Sequence, residues 1–499
     1  MNVTDPPPSK IGLPGFAAAL AIFLALGAFL LWPALGPGDQ VLSPAGFWTR
    51  LGPFPTELSS ATPPDITVMS DSVQQFVPWL RYAADGWLRD GRIPLWKDTA
   101  LCGAPFVGNG QSAVFFPPVL LSIVLGAPLR AHALLALIKL AGGALCAWML
   151  ARHLRLSFLA SLLCGVTFGF GGFQVVWLLY PHTNVSMLLP LLLLAADRAV
   201  LAPSLRSAGL LALVAGLQHL GGHPETAFHC QTLAVACAVA RTLALRRCAT
   251  PWAPWRRLGA LLGGLVLGAC VGAVQTLPVL EYMSQSQALH QRREVMDFPG
   301  AHEPLWGAAF AAAVLVAVLA FRWLARPGRW APVAAVLLLG ATGAALATGL
   351  QAGVSLACMQ VLAADWFGSA RHYLGPVNYI TDNGGFAGAA LALAVVGMFA
   401  ARQRGLVTFL AVLLGLGLLM GYHAPWTTDL LHVLPVFSVA ANQRLVLVSL
   451  LATALLAGFG LDALGRSARG AGERELDALK QHAPGSVSPG QLARGSRSR

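Results

Sequence analysis

The sequence predicts an all-α polytopic membrane protein with about 12 transmembrane helices. Its 499 residues are 56% hydrophobic and only 11% charged, and their mean hydropathy is +0.65. Apolar runs of about 20 residues, the length that crosses a bilayer as a helix, recur along most of the chain. The basic residues collect in alternate loops between these runs, a pattern typical of a chain that crosses the membrane repeatedly.

The predicted spans begin close to the N-terminus. The first run, residues 11–35, is longer than a signal-peptide core and lacks a clear cleavage site, which favours a retained helix. The run "AVFFPPVLLSIVLG" at 113–126 has 14 residues and two prolines, so we expect it to lie in the membrane interface without crossing. The twelve predicted spans are residues 11–35, 131–151, 156–179, 183–200, 207–222, 225–243, 257–280, 304–324, 330–350, 384–401, 405–421 and 444–464.

The basic residues predict the orientation of these spans. One set of loops contains 14 arginines, and the opposite loops after the first one contain 3. Because Lys and Arg accumulate in cytoplasmic loops, the arginine-rich set and both termini are predicted to be cytoplasmic. The long first loop, residues 36–130, is then extracytoplasmic.

Three regions follow from this topology. Residues 1–10 are a cytoplasmic N-terminus, and residues 11–464 form a membrane domain that includes the first outer loop. Residues 465–499 are rich in Gly, Ser, Pro and charged residues, and they cannot bury enough apolar surface to become ordered. We therefore expect a disordered cytoplasmic tail.

Composition and motifs also exclude several classes of function. The formal charge of +12 is typical of cytoplasmic loops on a membrane protein, so we expect no nucleic-acid partner. The eight cysteines form no C-x-x-C pair, and no nucleotide-binding or metalloprotease motif occurs. Because polar residues collect on the outer face, away from cytoplasmic nucleotides, an enzyme of this kind needs a lipid-borne substrate.

The most distinctive polar segment is "SDSVQQFVPWLRYAADGWLRD", which begins at residue 70. Its apolar residues recur at helical spacing, with Gln74 and Gln75 on the polar side, so the pattern predicts an amphipathic helix over 71–90 along the outer interface. At the start of this helix the backbone dipole favours an ionised Asp71. Asp71 is therefore either a helix cap or a general base.

Polar residues at other outer helix ends are candidates for the same site. "YPHTN" supplies His182 and Asn184, "GGHPET" supplies His223 and Glu225, and Gln275 lies within a predicted span. The two glycines and the proline in "GGHPET" interrupt the helix on which a two-histidine metal site would depend. A metal site and a polar substrate cleft both stay open at this point.

Two cations near the outer face are suited to neutralising a phosphate. Lys139, in "ALLALIKLAGG", lies about two turns inside its predicted span, where an ammonium is costly enough to indicate a function. Arg444 opens the last span, and a guanidinium can bind two phosphate oxygens. Lys139 also has a structural interpretation, in which it pairs with a carbonyl or carboxylate of a neighbouring helix.

The order of several loose motifs resembles a known family. After the first span come "SDSVQQFVPWL", "LRDGRIPLWKDTALCGAPFVGNGQSAVFFPP" and "IKLAGGALCAWMLARHLRLS", and near the end come "VNYITDNGGFAGAALALA" and "LPVFSVAANQRLVLVSLLATALLAGFGLD". From residue 11 to 464 the chain resembles the YfhO-like bacterial membrane proteins, in the GT-C superfamily of polyprenyl-phosphate-sugar glycosyltransferases. The resemblance implies a GT-C-like fold in a bacterial cytoplasmic membrane, with an essential acidic residue, here Asp71, and interfacial helices in the first outer loop.

The resulting hypothesis is a glycosyltransferase that moves a sugar from a polyprenyl-phosphate donor to an extracytoplasmic acceptor, such as a cell-wall polymer, glycolipid or protein. Asp71 would be the general base, or would hold the acceptor hydroxyl or a divalent metal, Mg²⁺ or Mn²⁺. The alternatives are a transporter or flippase and a non-catalytic scaffold for envelope assembly. In this hypothesis Lys139 and Arg444 bind the lipid phosphate. The residues that bind the substrate are Gln74, Gln75, His182, Asn184, His223, Glu225 and Gln275.

Overall fold

The computed structural model of the chain is mostly helical. It describes residues 12–36, 42, 71–100, 102–245, 253–286, 361, 383–401, 403–422, 427, 430–431 and 433–482, without the side chains of 126–129 and 470–482. Within these residues the only strands form a short antiparallel hairpin, in which β1 (Trp96–Lys97) pairs with β2 (Ala104–Pro105). The chain is therefore an all-α membrane protein in its architecture.

Eight stretches of the described chain are long and apolar enough to cross a bilayer, and two shorter apolar helices accompany them. Together they coincide with ten of the twelve predicted spans, and the predicted spans 304–324 and 330–350 lie outside the described residues. The helices are α1 (Leu13–Leu30), α2 (Trp32–Leu35), α3 (Val77–Ala84), α4 (Pro117–His153), α5 (Phe158–Gly169), α6 (Gly172–Val176), α7 (His182–Ser186), α8 (Leu189–Leu201), α9 (Leu205–Leu220), α10 (Pro224–Leu245), α11 (Pro254–Ser284), α12 (Ala390–Ala400), α13 (Arg404–Gly421) and α14 (Val446–His482).

Helix α14 lies in the middle of the bundle and packs against α5, α12 and α13. Leu450, Leu456 and Ala457 on this helix are completely inaccessible to solvent. Helix α4 packs against α1, α3, α5 and α8, so it links the first outer loop to the membrane core. This central position matters because α4 carries Lys139 in its interior and α14 follows directly after Arg444, the two predicted phosphate-binding cations.

Small residues allow α9 and α11 to pack closely. Gly264, Gly268 and Gly272 repeat every four residues on α11, and a side chain at any of them would meet α9. A Cβ atom at Gly268 would lie 2.7 Å from the Cβ of Ala215. Backbones approach this closely where small residues recur at four-residue spacing, a common way for membrane helices to pack.

The first outer loop contains the predicted amphipathic helix. It is helical from Ser72 to Arg89, with α3 between two π-helical turns at Ser72–Phe76 and Asp85–Arg89. The second predicted interfacial segment, 113–126, differs from expectation because α4 starts at Pro117 and continues without a break to His153. Prolines in the first turn of a helix cost no backbone hydrogen bond, so these prolines begin the long helix and do not separate a short one.

The last helix also extends beyond its predicted end. The sequence pattern places the end of the membrane domain at residue 464, whereas α14 continues to His482. Residues 465–482 contain Ala, Arg, Glu, Leu and Lys, which favour helix, and no proline. The rest of the predicted disordered tail, 483–499, lies outside the described residues.

Candidate functional site

Polar and aromatic residues converge at one end of the bundle, where three segments distant in sequence meet. They are the turn between α6 and α7, the turn between α9 and α10, and the segment that leads into α14. The turn before α10 needs Gly222, whose φ is +85° and whose Cβ would lie 2.8 Å from the Cβ of Ala113. The first outer loop is thereby packed directly onto this end of the bundle.

A stack of rings forms the centre of this cluster. The His182 ring lies parallel to the indole of Trp177, with their centroids 4.1 Å apart, and its centroid is 3.7 Å from that of His223. Tyr180 packs edge-on against both Trp177 and His182. His182 is only 3% exposed, and both of its ring nitrogens lack a hydrogen-bond partner within the described residues. A buried polar atom without a partner calls for an explanation, and a bound water or ligand is one.

The adjacent histidine has a defined tautomer. The backbone N–H of Thr226 donates to His223 Nδ1 over 3.1 Å, so Nδ1 is an acceptor and the neutral ring carries its proton on Nε2. His223 Nε2 lies 4.0 Å from Glu225 Oε2. The start of α10 therefore directs an imidazole N–H toward the side of the site that holds a carboxylate.

Glu225 is the carboxylate of the cluster, and both of its oxygens accept hydrogen bonds. Its Oε2 accepts a hydrogen bond from the guanidinium of Arg444, and its Oε1 accepts one from the backbone N–H of Ala441. The Arg444 guanidinium also lies over the Trp177 ring, 5.7 Å from its centroid. These contacts join the start of α10 to the start of α14 and neutralise Arg444 in a largely buried position.

Asp71 lies beside the aromatic part of this cluster. Gln75 Nε2 donates to Asp71 Oδ1 over 3.2 Å, and the Asp71 carboxylate makes no capping bond to the backbone. Burial raises the pKa of the Asp71 carboxyl, in contrast to the expected effect of a helix dipole. Burial, together with the nearby Asp71 charge, raises the pKa of the Tyr180 phenol. Asp71 therefore does not act as a cap, and it faces a protonated tyrosine.

Lys139 has a structural role in this arrangement. Lys139 is 2% exposed, and its ammonium donates to the carbonyl oxygens of Leu178 and Tyr180, each over 2.9 Å. The hydroxyl of Thr183 donates to the same turn. A cavity of about 40 Å³ beside Lys139 has room for a few water molecules at most. Lys139 thus holds the turn that presents Trp177 and leaves no space for a sugar phosphate next to its ammonium.

The remaining predicted residues divide between loop contacts and the surface. Asn184 Nδ2 donates to the carbonyl of Gly221 over 2.9 Å, which ties the turns before α7 and α10 together. Gln275 Nε2 donates to the carbonyl of Val107 over 2.7 Å, which fastens the first outer loop to α11. The side chain of Gln74 is exposed. These three residues support the site or lie outside it, whereas Asp71 and the other cluster residues form it.

The cluster does not fit a divalent cation. In the part of the chain that the structure describes, no three His, Cys, Asp or Glu side chains are close enough together to hold a metal ion. Glu225 already shares its oxygens between Arg444 and the backbone of Ala441. Mg²⁺ and Mn²⁺ prefer several oxygen ligands, and the two histidine rings beside this carboxylate are poor substitutes for them.

Comparison with known proteins gives no family for this chain. No family model, curated protein or solved structure matches it. The site must therefore be interpreted from its own chemistry.

Two aromatic residues of the site were missed by the sequence analysis. Trp177 and Tyr180 stand in "WLLYPHTN", directly before His182, at the predicted outer end of a span. Aromatic residues are common at membrane interfaces, so this position alone does not distinguish an anchor from a binding surface. The one signal in the sequence was that Trp177 and Tyr180 lie five and two residues before His182, close enough to share its turn.

Proposed function

We propose that this protein is a membrane glycosyltransferase that moves a sugar from a polyprenyl-phosphate donor to a hydroxyl group on an extracytoplasmic acceptor. The observation that carries the proposal is the convergence of Asp71, from the first outer loop, with the ring stack of Trp177 and His182 and with Arg444. A transferase of this type needs a base, a surface for the sugar and a cation for the phosphate, all at the membrane surface.

The environment of Asp71 suits a general base. Because burial raises its pKa, the carboxylate is more basic than an exposed aspartate, and proton transfer is most efficient when the pKa approaches the working pH. The bond from Gln75 orients one carboxylate oxygen, and no hydrogen bond from the described residues reaches the other. In the proposed step, the acceptor oxygen attacks the anomeric carbon, its proton passes to Asp71, and the bond from that carbon to the phosphate oxygen breaks.

The leaving group in this step is the polyprenyl phosphate, which takes the bonding electron pair and remains in the bilayer. Arg444 is the cation best suited to bind this phosphate, because Lys139 is enclosed by carbonyl oxygens. The flat rings of Trp177 and His182 supply the apolar surface on which a sugar ring can lie. We propose a GT-C-like enzyme in a bacterial cytoplasmic membrane, with its active face outside and both termini in the cytoplasm, an orientation that rests on the arginines of the predicted loops.

The direct test uses purified protein in detergent with a polyprenyl-phosphate hexose and a mixture of envelope glycolipids as acceptors. We expect release of polyprenyl phosphate together with a new glycosylated lipid, detected by mass spectrometry. A matched reaction with the Asp71→Asn variant is expected to give neither product.

The same experiment separates the enzyme from a transporter. Detergent removes any gradient across the membrane, so a transporter or flippase would leave the donor chemically unchanged. Intact donor after incubation with a broad set of acceptors, combined with donor movement across the membrane of a reconstituted vesicle, would reject the transferase proposal.

A further inference from the structure

The Arg444 guanidinium already has an anion bound to it, and that anion belongs to the protein. Glu225 takes one hydrogen bond from this guanidinium and a second from the backbone N–H of Ala441. A guanidinium and a backbone N–H that point at two oxygens of one anion also form a suitable donor set for a phosphate ester. The carboxylate of Glu225 therefore lies where two phosphate oxygens would fit.

A second observation indicates that a ligand belongs beside this pair. His182 is 3% exposed and its two ring nitrogens have no hydrogen-bond partner within the described residues. Its ring stacks on Trp177, the same indole over which the Arg444 guanidinium lies. A polar ligand bound at Arg444 and lying across this indole would come close to these nitrogens.

We propose that Glu225 is an exchangeable occupant of a phosphate site, and that a phosphate ester binds Arg444 and the Ala441 N–H by displacing the Glu225 carboxylate. The chemical class of the ligand is a phosphate mono- or diester, either on a lipid in the outer leaflet or free in solution. The identification of this phosphate with that of a donor lipid rests on the proposed function.

The exchange agrees with the cost of burying charge. When a largely buried arginine loses its anionic partner, the uncompensated charge strongly destabilises the fold. Separation of Arg444 from Glu225 with no replacement anion is therefore unfavourable. When one anion replaces another, Arg444 remains neutralised throughout. The released Glu225 carboxylate stays beside the Nε2–H of His223, 4.0 Å away in the present arrangement. Glu225 therefore lowers the affinity for phosphate and keeps the empty site folded.

The test measures phosphate binding in the absence of sugar transfer. The full-length protein, in dodecyl maltoside micelles that contain no phosphate, is titrated with farnesyl phosphate, with inorganic phosphate and with farnesol. Glu225→Gln keeps the shape of the side chain and removes the competing charge, so we expect farnesyl phosphate to bind about tenfold more tightly, within the usual range for coupled sites. Arg444→Gln is expected to abolish this binding, and the double variant should resemble Arg444→Gln.

Glu281→Gln is the matched control, because Glu281 is exposed on α11 toward the same end of the bundle. We expect this variant to bind farnesyl phosphate like the unchanged protein. If Glu225→Gln does not fold, Glu225→Asp provides the same test, because the shorter side chain cannot reach both Arg444 and the Ala441 N–H and should also bind phosphate more tightly.

The outcomes are distinct. Unchanged or weaker binding of farnesyl phosphate to the folded Glu225 variants would overturn the exchange. If the Glu225 variants bind farnesyl phosphate more tightly but inorganic phosphate no more tightly, the ligand is a lipid headgroup. If the affinity for both rises equally, the ligand is a free phosphate. Tighter binding by a protein that never transfers a sugar would retain the exchange and reject the proposed transferase, whereas sugar transfer with unchanged affinity of the Glu225 variants would do the reverse.

Discussion

At the scale of single residues, the burial of Asp71 suits a general base and also lowers the stability of the fold. Its carboxyl is partly buried beside Tyr180, and its pKa is raised because the charged form is poorly solvated. A group of this kind binds protons more strongly in the folded than in the unfolded state. Above the raised pKa the ionised carboxylate therefore reduces the free energy of unfolding.

We predict that Asp71→Asn abolishes sugar transfer while the melting temperature is retained or raised. Asparagine keeps the acceptor oxygen for Gln75 and removes the poorly solvated charge. Loss of a general base typically reduces the rate by about 10² to 10⁴. Turnover and thermal melting in detergent check both parts. Asp85→Asn, on the same helical segment, is the control, and near-normal turnover of Asp71→Asn would remove Asp71 from the mechanism.

The pH dependence of transfer follows from the same pKa shift. The base acts only when it is deprotonated, so the rate should fall as the pH decreases through the pKa of Asp71. Because burial raises this pKa, we expect the acidic limb of kcat/KM at a higher pH than an ordinary aspartate gives. Rates measured between about pH 3 and pH 8 test this expectation. An acidic limb at or below the ordinary range of an aspartate would contradict it.

Lys139 is predicted to affect stability more than donor binding. Lys139→Met removes the two ammonium hydrogen bonds to the carbonyl oxygens of Leu178 and Tyr180, which keep the Thr183 hydroxyl as a donor. Hydrogen bonds from charged groups contribute about 1.5 to 3 kcal/mol each. We expect a clearly lower melting temperature with an unchanged KM for the donor among the molecules that still fold. Lys97→Met, at a partly exposed lysine of the first outer loop, is the control. A raised donor KM without loss of stability would instead assign Lys139 to the phosphate.

At the scale of elements, the contact of α9 with α11 depends on the glycines of α11. Gly268→Val would place its Cβ atom 2.7 Å from the Cβ of Ala215 and 2.9 Å from the carbonyl oxygen of Ala212. Overpacking of this kind costs about 1 to 3 kcal/mol, so we expect a lower melting temperature in detergent. The measurement compares this variant with a valine elsewhere on the same helix.

Gly263→Val provides that comparison. Among the described residues, no atom outside the helix lies within 4 Å of a Cβ built at Gly263. Both glycines lie inside α11, and a valine has the same intrinsic helix propensity at each. The difference between the two melting temperatures therefore reports the packing alone. Equal effects of the two valines would show that α9 does not lie against Gly268 in the membrane.

At the scale of the whole molecule, the orientation can be tested with exposed positions. Cys102 is exposed in the first outer loop, and Leu205, at the opposite end of the bundle, is 94% exposed. We predict that a membrane-impermeant maleimide labels Cys102 in intact cells. In a background in which all eight native cysteines, including Cys248 and Cys358 in the predicted loops, are replaced by serine, Leu205→Cys should react only after permeabilisation. Labelling of Leu205→Cys in intact cells would reverse the orientation derived from the positive charges.

The sequence by itself determined the membrane class and most of the spans, and it named several of the segments that meet at the candidate site. A helix needs about 20 apolar residues to cross a bilayer, so hydrophobicity locates the spans before any packing is known. The amphipathic pattern after Asp71 likewise indicated its helix. The predicted helix boundaries at 113–126 and at 464 were less accurate, since a continuous helix runs through 126 and another runs past 464. Proline in the first turn of a helix and a run of charged residues are both compatible with a continuous helix.

Only the tertiary structure decided what each charged group does. Lys139 and Arg444 look alike in the sequence as cations near an outer helix end, yet one binds backbone carbonyls and the other a carboxylate 219 residues away in the chain. Likewise, the turn that carries Trp177 becomes part of a site only because Gly222 lets the first outer loop pack against the bundle. Hydrophobic pattern is a local property of the chain, whereas charge pairing depends on which helix ends meet, and that is set by close packing between distant segments.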